Sequence, residues 1–151
     1  MIKVESLSKS YGERLAVDDI SFEIEQGEIV GFLGPNGAGK TTTMRAITGY
    51  LIPTEGEVWV ADCNMRKDPL QARQHIGYLP ETIPLYTDMT TRAYLGFAGK
   101  LRGLDSKVAQ RRIDEVVEVC QLEEYLDVLT GKLSKGFRQR VGLAQAIIHD
   151  P

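Results

Sequence analysis

Apolar residues along this chain follow two different periods, and the change comes after its middle. The first half holds short runs suited to strands. Residues 2–7, with Ile2, Val4 and Leu7, predict a first strand, and residues 8–13 (Ser-Lys-Ser-Tyr-Gly-Glu) predict a polar turn carrying one aromatic, Tyr11. Residues 17–25 set Ile20, Phe22 and Ile24 against Ser21, Glu23 and Glu25, the period of two expected of a half-buried strand that Gln26-Gly27 then ends. Residues 28–33 (Glu-Ile-Val-Gly-Phe-Leu) are apolar without alternation, which suits a strand buried on both faces. Residues 40–47 predict a helix with Met44, Ile47 and then Leu51 along one side. Residues 53–56 read as a turn, residues 57–60 as a strand in which Trp59 packs, residues 70–74 as a short helix, and residues 76–79 as a further strand that Pro80 stops.

Beyond Pro80 the spacing becomes helical. Residues 90–101 carry Tyr94, Phe97, Ala98 and Leu101 at i, i+3, i+4 and i+7, with Thr90 placed to cap the helix and Gly103 to end it. Asp105 can cap a second helix in which Ile113, Val116, Val117 and Cys120 repeat the stripe. Residues 133–140 open a third helix with Ser134 as its N-cap, running through Val141, Ala144 and Ile148 towards Asp150-Pro151. These stripes are the core faces of a packed helical subdomain.

Between the run at 28–33 and the helix at 40–47 lies Gly34-Pro35-Asn36-Gly37-Ala38-Gly39-Lys40-Thr41, a G-x-x-x-x-G-K-[ST] phosphate loop in its strand, loop, helix setting. At ordinary residue usage the four fixed positions coincide in about one sequence of this length in a few hundred. The glycines remove the Cβ atoms that would keep backbone N–H groups from curling round a triphosphate, and the helix start adds its free N–H groups and the positive end of its dipole. In that setting Lys40 reaches the β- and γ-phosphates and the Thr41 hydroxyl is a ligand for Mg²⁺.

Composition narrows the picture only a little. The 151 residues are 42% hydrophobic and 26% charged, with a net charge of −3 that gives no reason to expect nucleic acid as a partner. Cys63 and Cys120 have no framework spacing and read as two reduced thiols, while His75 and His149 stand alone. No apolar run is long enough to span a bilayer as a helix, so a membrane role would act through a partner.

Taken together, these stretches resemble the ATP-binding subunit of ABC transporters along the whole chain. Residues 34–41 look like that family's Walker A loop, and Tyr11 like the aromatic that stacks on adenine. Leu133-Ser134-Lys135-Gly136-Phe137-Arg138-Gln139-Arg140 looks like the L-S-G-G-Q-x-Q-R signature, from which Lys135 and Phe137 depart. Glu81 stands where the family usually has its Q-loop glutamine. The resemblance implies an α/β P-loop NTPase fold with an N-terminal antiparallel β subdomain, an inserted helical subdomain and an incomplete core sheet. Residues 1–80 would form the β subdomain and phosphate-loop core, 81–140 the helical subdomain, and 141–151 a return to the core.

For the site, the resemblance implies that Tyr11, Gly34, Asn36, Gly37, Ala38, Gly39, Lys40, Thr41 and Thr42 bind ATP. It further implies that Lys40, Thr41 and Glu81 serve catalysis, with Thr41 and Glu81 on Mg²⁺. Ser134, Lys135 and Gly136 would touch the ATP of an opposite subunit, in a homodimer or heterodimer of nucleotide-binding domains. The Gly-Tyr-Leu-Pro-Glu and Ser-Lys-Gly-Phe-Arg-Gln-Arg runs look like the subgroup serving ABC-2 type exporters, including multidrug and gliding-motility-associated subunits. That subgroup implies coupling of ATP binding and hydrolysis to export through a transmembrane permease subunit, on the cytoplasmic face of the cell membrane.

The family pattern continues into a Walker B aspartate, a catalytic glutamate and a switch histidine, none of which occurs in these residues, and His149 does not take the switch role. The chain is therefore expected to be part of a longer subunit, to bind nucleotide far better than it turns it over, and to be poorly soluble alone. The alternative is a non-hydrolysing nucleotide-binding regulatory module; an ABC-type domain of a DNA-repair or translation factor would need a fused partner or a basic face.

Overall fold

The computed structural model describes residues 1–151, which divide into two compact units, Met1–Ile76 and Gly77–Pro151. In the first unit, β1 (Ile2–Tyr11) and β2 (Arg14–Ile24) form a hairpin, and β3 (Glu55–Val60) and β4 (Cys63–Asn64) complete an antiparallel sheet of order β2-β1-β3-β4. Helices α1 (Lys40–Ile47) and α2 (Pro69–Gln74) pack beside it. Val4, Leu7, Val17, Ala46, Ile47, Val58, Val60, Met65 and Ala72 are its buried core.

β1 is longer than its apolar run. Val4 and Leu7 lie three apart and would face opposite sides of a regular strand, yet both are buried, because the register with β2 shifts between them and Ser6 takes φ 45°. Hydroxyls then tie the irregular stretch: Ser21 Oγ accepts from Ser6 N at 2.8 Å and Ser8 Oγ from Asp19 N at 2.9 Å. The strand therefore runs through the segment expected to be a turn, and the turn itself is confined to Gly12-Glu13. Its last residue is Tyr11.

Two expected strands do not form. Residues 28–33 join no ladder, and Ile29, Val30, Phe32 and Leu33 are exposed; the Phe32 ring lies 6.0 Å from that of Phe22 in the hairpin. A strand buried on both faces needs neighbours on both sides, and β1 and β3 pair with each other and with the flanking strands instead. Residues 76–79 likewise pair with no strand. This segment enters the second unit and packs on a helix there.

In the second unit α3 (Thr91–Leu101), α4 (Ser106–Cys120) and α5 (Lys135–Ile147) enclose Tyr94, Leu95, Ile113, Val116, Val117, Cys120, Leu122, Leu133, Val141, Ala144 and Ile148. Their N-caps are the expected ones. Thr90 accepts from Ala93 N, Asp105 from Lys107 N and Val108 N, and Ser134 from Phe137 N. The α3 stripe is rotated from expectation: Thr91, Tyr94, Leu95, Ala98 and Gly99 are buried, and Leu101 is exposed. Tyr94 anchors it by donating from its hydroxyl to Gln145 Oε1 at 2.6 Å. Cys63 and Cys120 are free thiols.

Candidate nucleotide site

The loop ahead of α1 is shaped by its own glycines and by Lys40. Gly39 is the N-cap of α1 at φ 83°, and an added Cβ there would lie 2.6 Å from the Ala16 carbonyl oxygen and 2.9 Å from Val17 Cγ2. Only glycine satisfies both the left-handed backbone and this close approach to β2. Ala38 N donates to the Pro35 carbonyl at 3.2 Å, while Lys40 Nζ donates to the carbonyls of Gly34 at 2.5 Å and Pro35 at 2.7 Å. The lysine thus holds the loop in a curl with its ammonium group inside.

α1 begins without a side-chain cap. Its first intrahelical bond reaches back from Thr43 N to Gly39 O at 2.8 Å, so the N–H groups of Lys40, Thr41 and Thr42 have no helical acceptor. The three threonines divide by helical position: Thr43 is buried with its hydroxyl on the Gly39 carbonyl at 3.1 Å, whereas Thr41 and Thr42 line an open cleft.

That cleft has a volume of about 470 Å³. Asn36, Gly37, Gly39, Lys40, Thr41 and Thr42 line one side and Tyr11, Arg14 and Ala16 the other. Tyr11 remains 47% exposed, with Lys9 Nζ 5.5 Å from its ring centroid and tied to the Ile52 carbonyl at 3.0 Å. Of the residues expected to bind nucleotide, Gly34 and Ala38 shape the loop from behind and the rest reach the cleft.

Arg14 and Arg45 also line it and were not anticipated. Arg14 pairs with Tyr11 across the hairpin end, and Arg45 is one helical turn from Thr41 on the same face, so the i, i+4 spacing was the available signal. Three cations with free N–H groups make a strongly anion-seeking cavity. Thr41 and Thr42 bring two hydroxyl oxygens, hard donors, to the same cleft.

The remaining candidates belong to the second unit. Ser134 Oγ accepts from Phe137 N at 3.3 Å, and the space beside Gly136 is open, since a Cβ there would meet only Ser134 Oγ at 3.9 Å. Phe137 has a packing role: its ring lies 3.8 Å from that of Tyr125, and the Arg140 guanidinium is 5.2 Å from its centroid. Glu81 lines a second cleft of about 280 Å³ with Thr82, Ile83, Lys135, Arg138 and Gln139. Glu81 and Thr41 thus stand in different units.

Comparison with known proteins adds the family. The family model described as "ABC transporter" matches residues 17–151. An uncharacterized ABC transporter ATP-binding protein of Bacillus subtilis is 42% identical over 151 residues, covering 100% of this chain and 50% of the relative. The bacitracin transport ATP-binding protein of Bacillus licheniformis is 39% identical over 151 residues, covering 100% of this chain and 48% of the relative. The chain therefore spans about half the length of these relatives. Among solved structures, the dimeric post-hydrolysis state of an ATP-binding cassette bound to ADP and Pi superposes with a TM-score of 0.84 at 27% identity, covering 100% of this chain and 71% of the other. The match of the family model to residues 17–151, well over half of the chain, makes this chain a member of the ABC transporter family.

Proposed function

We propose that this chain is the ATP-binding portion of a transporter's energy-coupling subunit, and that the cleft between Tyr11 and the 34–42 loop takes ATP with Mg²⁺. The observation that carries the reading is the convergence, in one cleft, of an exposed aromatic ring, three cations and the open start of α1. Tyr11 stacks on the base. Lys40, Arg14 and Arg45 bind the phosphates, the free N–H groups of α1 take their oxygens, and Thr41 holds Mg²⁺. The bound metal supplies charge neutralisation at the β- and γ-phosphates.

Ser134 and Gly136 face the nucleotide of a second nucleotide-binding subunit. The open space at Gly136 supports this, because a residue without Cβ there leaves the backbone accessible to a phosphate group. A permease subunit and a cytoplasmic, membrane-peripheral location complete the proposal. No helix of the chain is long and apolar enough to cross a membrane. Export is the direction proposed, with hydrolysis a property of the full-length subunit.

The test is nucleotide affinity by titration with a fluorescent ATP analogue and Mg²⁺. Lys40→Ala is expected to weaken binding at least tenfold, in the range of about 1.5–3 kcal/mol for a charged hydrogen bond. Tyr11→Ala should lose the roughly 1–3 kcal/mol of an aromatic–base stack, and Tyr11→Phe should keep it. Equal affinity in the parent and Lys40→Ala would sink the reading.

A further inference from the structure

Residues 77–81 run along one stripe of α5 against the direction of the helix, and the chain bends at Glu81 and Thr82 so that Ile83 comes back to Gly142. A Cβ on Gly77 would be 2.7 Å from the Ala146 carbonyl oxygen and 3.2 Å from Pro151. One turn back along the helix, a Cβ on Gly142 would be 2.6 Å from Ile83 Cδ1, 2.8 Å from Leu79 Cδ1 and 2.9 Å from Ile83 Cγ2. A further turn back, Glu81 and Thr82 share a cleft with Lys135, Arg138 and Gln139. The lengths agree: four extended residues from 77 to 81 span roughly 13 Å, and the eight helical residues from 146 to 138 span roughly 12 Å. Each partner supplies a glycine where the other comes closest.

Leu79 and Ile83 flank Glu81, and both sit on Gly142. Glu81, between them, lines the cleft with Lys135, Arg138 and Gln139 in the first turns of α5, whose N-cap is Ser134. No ion pair fixes it there: Glu81, Lys135 and Arg138 appear in none of the salt bridges. Apolar seating therefore does the placing, and the charges are left free to respond to what enters the cleft.

We propose that Gly142 is a positioning residue, the notch in α5 that seats Leu79 and Ile83 so that Glu81 and the Ser134 end of the helix are held as one body. The geometry of the seat stands on its own; its consequence at Ser134 rests on the nucleotide-binding reading above.

Sign is the first readout. Alanine is the better helix former, so Gly142→Ala in a free helix position would raise Tm. In the notch it lowers Tm and speeds limited proteolysis within residues 78–83 by about tenfold or more. Ile83→Ala empties the same seat and also speeds cleavage there, so Gly142→Ala/Ile83→Ala is cleaved no faster than the more labile single variant. Should Gly142→Ala fail to fold, Ile83→Ala alone carries the test, with faster cleavage expected within 78–83. The proposal is overturned if Gly142→Ala raises Tm with cleavage at 78–83 unchanged, if the two single effects multiply in the double variant, or if Ile83→Ala leaves cleavage at 78–83 as it was. Binding of the fluorescent ATP analogue, measured on the same proteins, separates the two ideas: its absence in the parent overturns the nucleotide reading and leaves the notch standing.

Discussion

Gly39 concentrates most of what the candidate site requires of a single residue. It starts α1 in a left-handed conformation, and its missing Cβ lets the loop touch β2, which brings the Lys40 side of the cleft up to the Tyr11 side. Gly39→Ala meets backbone strain of about 1–3 kcal/mol together with a contact to the Ala16 carbonyl that cannot swing aside. The expected outcome is a lower Tm and loss of nucleotide binding together, read by thermal melt and ATP-analogue titration; a variant binding like the parent would mean that the cleft does not need the close approach. The loop was legible in the sequence because its chemistry is local: eight consecutive residues carry the donors and the glycines. Arg14 and Arg45 were not, because they reach the cleft through a hairpin register and a helix face. Thiol chemistry offers a second test at this scale. Burial pushes the Cys120 thiol pKa up and covers the sulfur, whereas Cys63 is only half-buried. Iodoacetamide on the native protein should label Cys63 well before Cys120, as followed by peptide mass spectrometry, and reversed order would contradict the packing of α4.

Helices α4 and α5 secure each other's ends. Arg112 of α4 donates from Nη2 to the Ile147 carbonyl at 2.8 Å and from Nε to the Ile148 carbonyl at 3.0 Å, closing the C-terminus of α5. Arg140 of α5 donates to Gln121 Oε1 at 2.9 Å, at the left-handed C-cap of α4. Last-turn carbonyls have no helical donor, so the Arg112 guanidinium supplies one to α5 and also complements its negative dipole end. Arg112→Ala should cost about 1–3 kcal/mol, since it strips two carbonyls of a charged donor, and Ser134→Ala about 1 kcal/mol through the lost N-cap. The two act at opposite ends of α5, so their effects on denaturant midpoints should add; the absence of any Arg112→Ala effect would mean that water replaces the guanidinium without loss. Helices were more legible than strands here. Each carries its own signals in Thr90, Asp105 and Ser134 and in an i, i+4 stripe, whereas a strand needs a partner that local sequence does not name. The run at 28–33 has the composition of a buried strand without the ladder, and the 8–11 extension of β1 is polar yet held by register shifts and by the Ser8 hydroxyl, which accepts from Asp19 N.

The two units differ in how well they cover their apolar surface. The second unit buries its stripes among three helices, but the first leaves Ile29 at 102% and Leu33 at 92% relative exposure, with Val30 and Phe32 beside them, on a backbone outside any ladder. Fully burying one such side chain is worth about 1.5–3 kcal/mol, so with Val30 and Phe32 already half-covered the four together offer roughly 4–9 kcal/mol. That is comparable with the estimated 4–15 kcal/mol cost of bringing two molecules together. The unpaired N–H and C=O groups of the segment can add strand pairing to the apolar gain. Association of this chain through residues 28–33 is therefore expected to set in as concentration rises, and sedimentation velocity across a dilution series would show it. Ile29→Lys/Leu33→Lys should abolish the association while leaving Tm nearly unchanged, because side chains this exposed contribute little to the fold of a single copy. A parent chain that stays monomeric at every concentration would mean that strand-forming composition and exposure are not enough, and that the positive charge of the neighbouring phosphate loop keeps copies apart.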